Sequence, residues 1–445
     1  MRILKKLLII LLVVAVIFGA VLWWLSRGVP AQLSLEDTTG SAPILAEPDA
    51  QTIPTAVVAE PIGWGAGEAP EAAEGLAVSR FAEGLDHPRI IYTMPGGDVL
   101  VTLTNAPAGN ITGGFFTALV AKFLFSQAGA DVPSPDKLVL LRDADGDGVA
   151  EGQFVLRDDL VSPSGIAWRD GKLYIANHNA LLRFNYAEGA TTVAGAPEKL
   201  MDLPPAGNHW MRNIVLNEAG DRLYVAVGSA TNIGDEGLDK EVNRAAVLEV
   251  DPAKKAFRVF ATGLRNPNGL AYEPVSGCLW TTVNERDMLG GDLVPDYMTC
   301  LEFGADYGWP QSYWGGYEDS RVEPPRPDRL EYVKRPDYAL GPHVAALGLS
   351  FANGANLGPS YANGAFVALH GSWNRKPASG YKLVYVPFGA NGQPLPGAKP
   401  QDLLTGFRVG DDARGRPVSV IKDRTGALLV ADDVGNMIWR VSGPK

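Results

Sequence analysis

The chain has 445 residues, 46% of them apolar, and a formal net charge of −11, enough for one large domain or two to three average ones. That acidic balance excludes general nucleic-acid binding, which needs a basic footprint. The 51 glycines and 33 prolines point to a turn-rich, all-β body rather than a helical one.

The first unit, residues 1–27, is a membrane anchor or a signal. Arg2, Lys5 and Lys6 precede Leu7–Leu25, an uncharged run with Trp23 and Trp24 near its far end. That length and those flanks suit a bilayer-spanning helix whose N-terminus stays inside. Val29-Pro30-Ala31 also offers a cleavage site, so a removed signal peptide competes with the anchor. Either way the body is exported, to the periplasm or an equivalent extracytoplasmic space. Residues 28–75 read as a flexible acidic linker, because 31–75 holds eight acids and neither Lys nor Arg. The exported part then carries about −15. The two cysteines, Cys278 and Cys300, either pair or stay as buried thiols.

Residues 76–445 repeat one pattern. A glycine-led turn and a short β-rich run occur six times: "GDVLVTLTN" from Gly97, "GKLYIAN" from Gly171, "GDRLYVAVGS" from Gly220, "GCLWTTVN" from Gly277, "GAFVALHG" from Gly364 and "GALLVADD" from Gly426. Each follows another apolar run, from "RIIYTM" through "NGLAY" to "PVSVI". Such hairpins, six times over, predict an all-β, six-bladed β-propeller preceded by an N-terminal transmembrane helix and the acidic linker.

In a blade the innermost strand and the second strand run antiparallel, so the entrance to one and the exit from the other share a face. All five histidines fall at such positions: His87, His178, His209, His343 and His370. This predicts a functional mouth on one face. Arg212, Arg265 and Arg375 suit a flat polyanion, because a guanidinium presents a rigid fork of donors. Asn266 adds neutral donors, and Trp309 or Trp373 an aromatic cover.

At these residues the chain resembles a known family. "GNHWMRNIVLNEAGDRLYVAVGS", "GLRNPNGLAYEPVSGCLWTTVNERDMLGGDLVPDY", "YGWPQSYWGG" and "HGSWNR" are similar, in that order, to the glucose/sorbosone dehydrogenase family, especially its sorbosone dehydrogenase-like branch. The resemblance implies pyrroloquinoline quinone (PQQ) with calcium, and oxidation of sugars or related aldoses. It makes His209 the base that takes a substrate hydroxyl proton, and Arg265, Asn266, Arg212 and Arg375 cofactor contacts. Tyr307 and Trp309 would lie near the cofactor, and the backbone carbonyls of Arg286 and Asp287 would hold calcium. In one respect the chain departs from the family: no lysine stands in "LGLSFANGANLG", and His343 or Asn353 takes that neighbourhood, which puts glucose itself in doubt as the substrate.

The chemistry agrees with this reading. Histidine is neutral and basic near its reference pKa of about 6.5. There is no GxGxxG between a strand and a helix, which argues against a nicotinamide cofactor, and no haem-attachment motif. Electrons therefore leave to a separate acceptor, a quinone or a cytochrome. Asp143, Asp145, Asp147 and Glu151, in "DADGDGVAE", resemble a shortened calcium loop, with an ordinary acidic turn as the alternative. "FFTALVAKFLF" from Phe115 is a helix candidate inserted after the first blade's second strand, packed on the propeller or facing a membrane or partner. Two rival functions remain: a calcium-dependent lactonase-type hydrolase and a non-catalytic interaction propeller.

Overall fold

Each hairpin read from the sequence extends into a four-stranded antiparallel sheet. The computed structural model describes residues 2–26, 28–52, 54–109 and 122–444. Blade one is built from Pro88–Thr93, Val99–Leu103, Lys137–Arg142 and Gly152–Arg157, and blade two from Gly165–Arg169, Lys172–Ala176, Ala180–Asn185 and Glu198–Asp202. Blade three comprises Ile214–Leu216, Leu223–Val227, Ala246–Asp251 and Ala256–Ala261; blade four comprises Asn266–Tyr272, Leu279–Asn284, Pro295–Cys300 and Tyr338–Pro342. Blade five takes Ala346–Phe351, Gly364–Leu369, Lys382–Pro387 and Gln401–Thr405. Blade six takes Pro417–Lys422, Leu428–Asp432 and Met437–Ser442, and borrows Ala77–Glu83 from the other end of the body as its outer strand. Each innermost strand packs on the next, and the sixth packs on the first, which closes a six-bladed β-propeller.

The sequence pattern explains the layering. Second strands such as Val99–Leu103, Gly364–Leu369 and Leu428–Asp432 are buried along their whole length, because neighbouring blades cover both faces. Burying each Val, Leu or Phe contributes about 1.5–3 kcal/mol. Outer strands such as Ala256–Ala261 are largely exposed. Near the axis the inner strands come too close for side chains. A Cβ on Gly269 would lie 2.5 Å from the Leu347 carbonyl oxygen, and one on Gly348 would lie 2.7 Å from that of Val418. Met211, Leu347 and Val418 plug the axis there, with Ile90 and Trp210 against them.

The acidic stretch 28–75 is laid on the propeller, which corrects the expectation of a flexible linker. Thr39–Gly40 pairs with Ala339 and Leu340 at the edge of blade four, and Glu71–Ala72 with Leu404 and Thr405 at the edge of blade five. Exposed sheet edges offer unpaired backbone groups that a short strand can satisfy. Trp64, the one aromatic residue of the stretch, sits edge-on to Phe407 and Trp439 and donates from Nε1 to Asp432 at 2.8 Å.

Cys278 and Cys300 are joined, with Cα atoms 5.9 Å apart, which settles the alternative left open by the sequence. Arg2–Ser26 is a 25-residue helix. Part of it, including the side chains of Leu7, Ala15, Phe18 and residues 21–26, lies outside the described set. Among the described residues no helix is long and apolar enough to cross a membrane. Of the apolar insertion, Phe115–Ala121 also lie outside the described residues, and a short helix covers 122–127.

Candidate active site at the propeller mouth

The loop Pro204–His209 leads into blade three and carries His209. Its ring Nδ1 lies 2.9 Å from the Ser229 carbonyl oxygen and 3.0 Å from Ser229 Oγ. Ser229 Oγ itself donates to the Thr231 carbonyl at 2.6 Å, so both of its contacts with the ring are acceptors. Nδ1 therefore carries the hydrogen, and Nε2 presents a lone pair. Burial first, and then the nearby Arg265 charge, push the His209 pKa down to about 3. The imidazole stays neutral throughout the physiological range. Gly228 makes this geometry possible: a Cβ there would lie 2.4 Å from Asn266 Oδ1 and 2.6 Å from His209 Cβ. The histidine and Asn266 thus meet across a glycine.

Behind Asn266 lies a charged network. Arg265 donates to Asn232 Oδ1 and Asp287 Oδ2 at 2.9 Å each, and to the Glu285 carbonyl at 2.7 Å. Asn374 Nδ2 donates to Asp287 Oδ1 at 2.7 Å. His343 places Nδ1 3.6 Å from the same carboxylate and Nε2 2.9 Å from the Gly290 carbonyl. Burial opposes ionisation of Asp287, but Arg265 and His343 outweigh it and hold the carboxyl below its usual range. His343 is raised in turn, because Asp287 overcomes its burial. Trp309 joins through Nε1, 2.9 Å from the Asn232 carbonyl. Arg265, Asn266, Trp309, His343 and the Asp287 side chain therefore form one constellation.

A second constellation, of which the sequence singles out only His370, sits across the mouth. Asp433 accepts from Arg89 at 2.5 Å and from His370 at 3.0 Å. Burial opposes its ionisation, but His370 and Arg89 hold it below its usual range. Arg416 lies beside them with its guanidinium 5.1 Å from the Tyr381 ring centroid. Its buried Nε and Nη2 have no hydrogen-bond partner, nor does Arg89 Nε. In the sequence Arg89 and Arg416 stand at the entrances of inner strands and Asp432-Asp433 at the exit of a second strand, but no spacing could show which cations keep free donors.

Other expected site residues are placed elsewhere. Arg212 is fully buried and gives its two terminal nitrogens to the carbonyls of His209, Met211 and Pro204, while its Nε has no partner. It holds the loop that carries His209 rather than facing the mouth. Arg375 donates to the carbonyls of Gly291, Pro377 and Leu33 and lies 3.3 Å from Asp292, so it ties the N-terminal stretch to the rim. Tyr307 is buried in the core between blades, with its hydroxyl on the Cys300 carbonyl at 2.7 Å. Arg286 is buried with Nε 2.9 Å from Asp319. The Asn284, Glu285 and Asp287 carbonyls already accept from Arg265 and Asn232. Of the two carbonyls expected to hold calcium, that of Asp287 is the one engaged here, by Asn232. The carboxylates of Asp143, Asp145, Asp147 and Glu151 do gather, with ligand atoms within 4.8 Å of one another, in the hairpin between the third and fourth strands of blade one. A cavity of about 470 Å³ lies at the opposite end of the axis, lined by the far ends of inner strands. The histidines and the free arginine donors are at the mouth, so the mouth is the candidate site.

The profile of the TrAA12-like family matches residues 140–295 and 329–443. The chain belongs to the TrAA12-like family. An uncharacterised protein of Borreliella burgdorferi is 28% identical over 300 residues, 65% of this chain and 77% of that one. A pyrroloquinoline quinone-dependent pyranose dehydrogenase of Coprinopsis cinerea is 36% identical over 133 residues, 25% of this chain and 17% of that protein. The aldose sugar dehydrogenase YliI of Escherichia coli is 29% identical over 160 residues, 33% of this chain and 41% of that one. Among solved structures, the holo PQQ domain of the Coprinopsis cinerea pyranose dehydrogenase superposes with a TM-score of 0.67 at 21% identity, covering 86% of this chain and all of that one. The calcium structure of the Trichoderma reesei AA12 enzyme gives 0.68 at 20% identity, with 87% and 98% coverage. These superpositions establish the fold, and the fold places the motifs "GNHW" and "GLRNPNG" at the mouth.

Proposed function

We propose that this protein is a PQQ-dependent dehydrogenase that oxidises the CH–OH group of an aldose at the propeller mouth. The observation that carries the reading is the pairing of a neutral His209 with a nearby set of cations that includes unpartnered donors. PQQ is a planar polycarboxylate, and the orphaned nitrogens of Arg416 and Arg89 are what such a ligand would satisfy. Arg265 and Asn266 would hold its other side. When bound, PQQ supplies a two-electron acceptor that no side chain offers.

The protein's own part is to bind, orient and deprotonate. Asp287 fixes the Arg265 guanidinium, and Ser229 fixes the tautomer of His209. Nε2 of His209 takes the hydroxyl proton of the sugar. A base held neutral by burial is ready at neutral pH, although its low basicity limits the pull it exerts. A metal-centred hydrolase would instead need carboxylates converging on one ion. Here Asp287 and Asp433 are each engaged by an arginine and a histidine. Calcium, in this reading, belongs to the Asp143–Glu151 hairpin. The uncharged run Leu7–Leu25, about 28 Å long as a helix, anchors the body to a membrane, with the propeller outside the cytoplasm.

Arg416 provides the test. Arg416→Ala should weaken PQQ binding by about 1.5–3 kcal/mol, the scale of a charged hydrogen bond, with the folded far-UV spectrum retained. Unchanged affinity in a folded variant would remove Arg416 from the cradle.

A further inference from the structure

The N-terminal helix ends at Ser26, and the chain docks on the propeller almost at once. The Val29 amide donates to Thr55 Oγ1 at 3.0 Å, and the Ala31 amide to the Lys376 carbonyl at 2.7 Å. Both Gln32 and Leu33 donate backbone N–H groups to Asp292, and Arg375 reaches the Leu33 carbonyl. Lys376 and Asp292 lie on the loops that follow the second strands of blades five and four. Those loops form the rim of the mouth. A chain spans at most about 3.6 Å per residue, so five residues from Ser26 to Ala31 put this rim within about 18 Å of the helix end.

A second observation points the same way. The insertion between residues 104 and 134 leaves from the exit of blade one's second strand and returns to it, held by Asn105 Nδ2 on the carbonyls of Ala130 and Val132. It exposes Phe123 by 62% and Phe125 by 43%. Trp373 and Val242, on mouth loops of blades five and three, are exposed as well. Isolated exposed apolar residues need no explanation. These lie on the face that the short tether fixes nearest the helix.

We infer that the mouth faces the bilayer interface and that its electrons leave to a lipid-soluble quinone. This rests on the membrane anchor and the dehydrogenase activity proposed above. The overall balance is closed: the sugar loses the hydrogen on its carbinol carbon and the hydroxyl proton as two electrons and two protons, gaining a C=O bond. The quinone receives both electrons and both protons as two new O–H bonds and leaves as quinol. A tether this short holds the mouth where such a carrier diffuses, whereas a soluble carrier would be equally served by a long one.

The experiment uses the full chain, loaded with PQQ and calcium, in phosphatidylcholine vesicles containing a long-chain benzoquinone. One arm inserts about thirty Gly/Ser residues after Arg27. Quinone reduction should fall roughly ten-fold as effective concentration drops, while reduction of a soluble dye stays constant. The other arm places a fluorophore at Val242→Cys on the mouth or at Leu395→Cys on the opposite face, with nitroxide on the lipid headgroups. Quenching should be strong at 242 and weak at 395. Equal quenching at both positions, or quinone reduction indifferent to the insertion, would overturn the inference. Loss of dye reduction in every form would instead strike at the dehydrogenase reading, and the quenching arm would still report the orientation.

Discussion

His209 has its Nδ1 hydrogen committed to Ser229 and its Nε2 lone pair left over, so its removal should damage chemistry more than binding. His209→Ala should retain PQQ and lose about 10²–10⁴-fold in kcat; a loaded variant above a tenth of the parental rate would contradict the role. The pH dependence follows from the environment. Because its pKa is pushed down to about 3, this group should cause no loss of kcat until the pH approaches that value. An acid limb near pH 6.5 would have to come from another group. Stability responds in the same direction: between about 6.5 and 3 the unfolded chain takes up a proton that folded His209 refuses, so acid removes stability.

Glu285 behaves oppositely. Burial pushes its carboxyl up to about 7, so the folded state keeps a proton that the unfolded chain loses near 4.3. Its contribution is complete below that value and is lost as the pH rises through about 7. Glu285→Gln should therefore flatten the fall in thermal stability between pH 5 and pH 8; an unchanged slope would show that Glu285 is ionised in the native protein. The sequence revealed the residue types of the site far better than their partners. Arg265 and Asn266 announced themselves by standing together before an apolar run. That Arg375 is consumed by carbonyls and Asp292, and Arg212 keeps its terminal nitrogens on carbonyls, while Arg416 Nε and Nη2 are left without partners, depends on contacts between loops far apart in the chain.

Among the elements, the hairpin from Asp143 to Glu151 presents the clearest unanswered charge. Its backbone amides satisfy some carboxylate oxygens, as from Gly146 and Gly148 to Asp143, but four carboxylates within 4.8 Å repel one another without a cation. Calcium should raise the melting temperature of chelator-treated protein, and Asp145→Asn with Asp147→Asn should abolish the rise. A full response in the double variant would place the ion elsewhere. The spacing of these acids was legible because a calcium turn is local. The docked stretch 28–75 was not, since its composition is that of a disordered chain. Its order comes from three short strand pairings, at Thr39–Gly40, Glu60–Pro61 and Glu71–Ala72, with the Arg375 clamp and the pocket that receives Trp64.

For the whole molecule, ring closure is the organising event. Ala77–Glu83 must return to Met437–Ser442 across nearly the full length of the domain, and six inner strands then converge on an axis where glycine is required. Six hairpin repeats made this architecture readable, because each repeat is local even though closure is not. The same convergence brings His209, Arg265, Arg89 and Arg416 from different blades to one mouth.

The mouth is proposed to hold PQQ and to reduce it with electrons from a sugar. The most direct measurement is anaerobic absorbance of the purified protein, titrated with PQQ in the presence of calcium and then given a panel of aldoses. The expected result is saturable binding of one PQQ per chain, followed by conversion of its spectrum to the reduced form by at least one aldose, with His209→Ala binding the cofactor but failing to convert it. Absence of PQQ binding by the folded, calcium-loaded protein would contradict it.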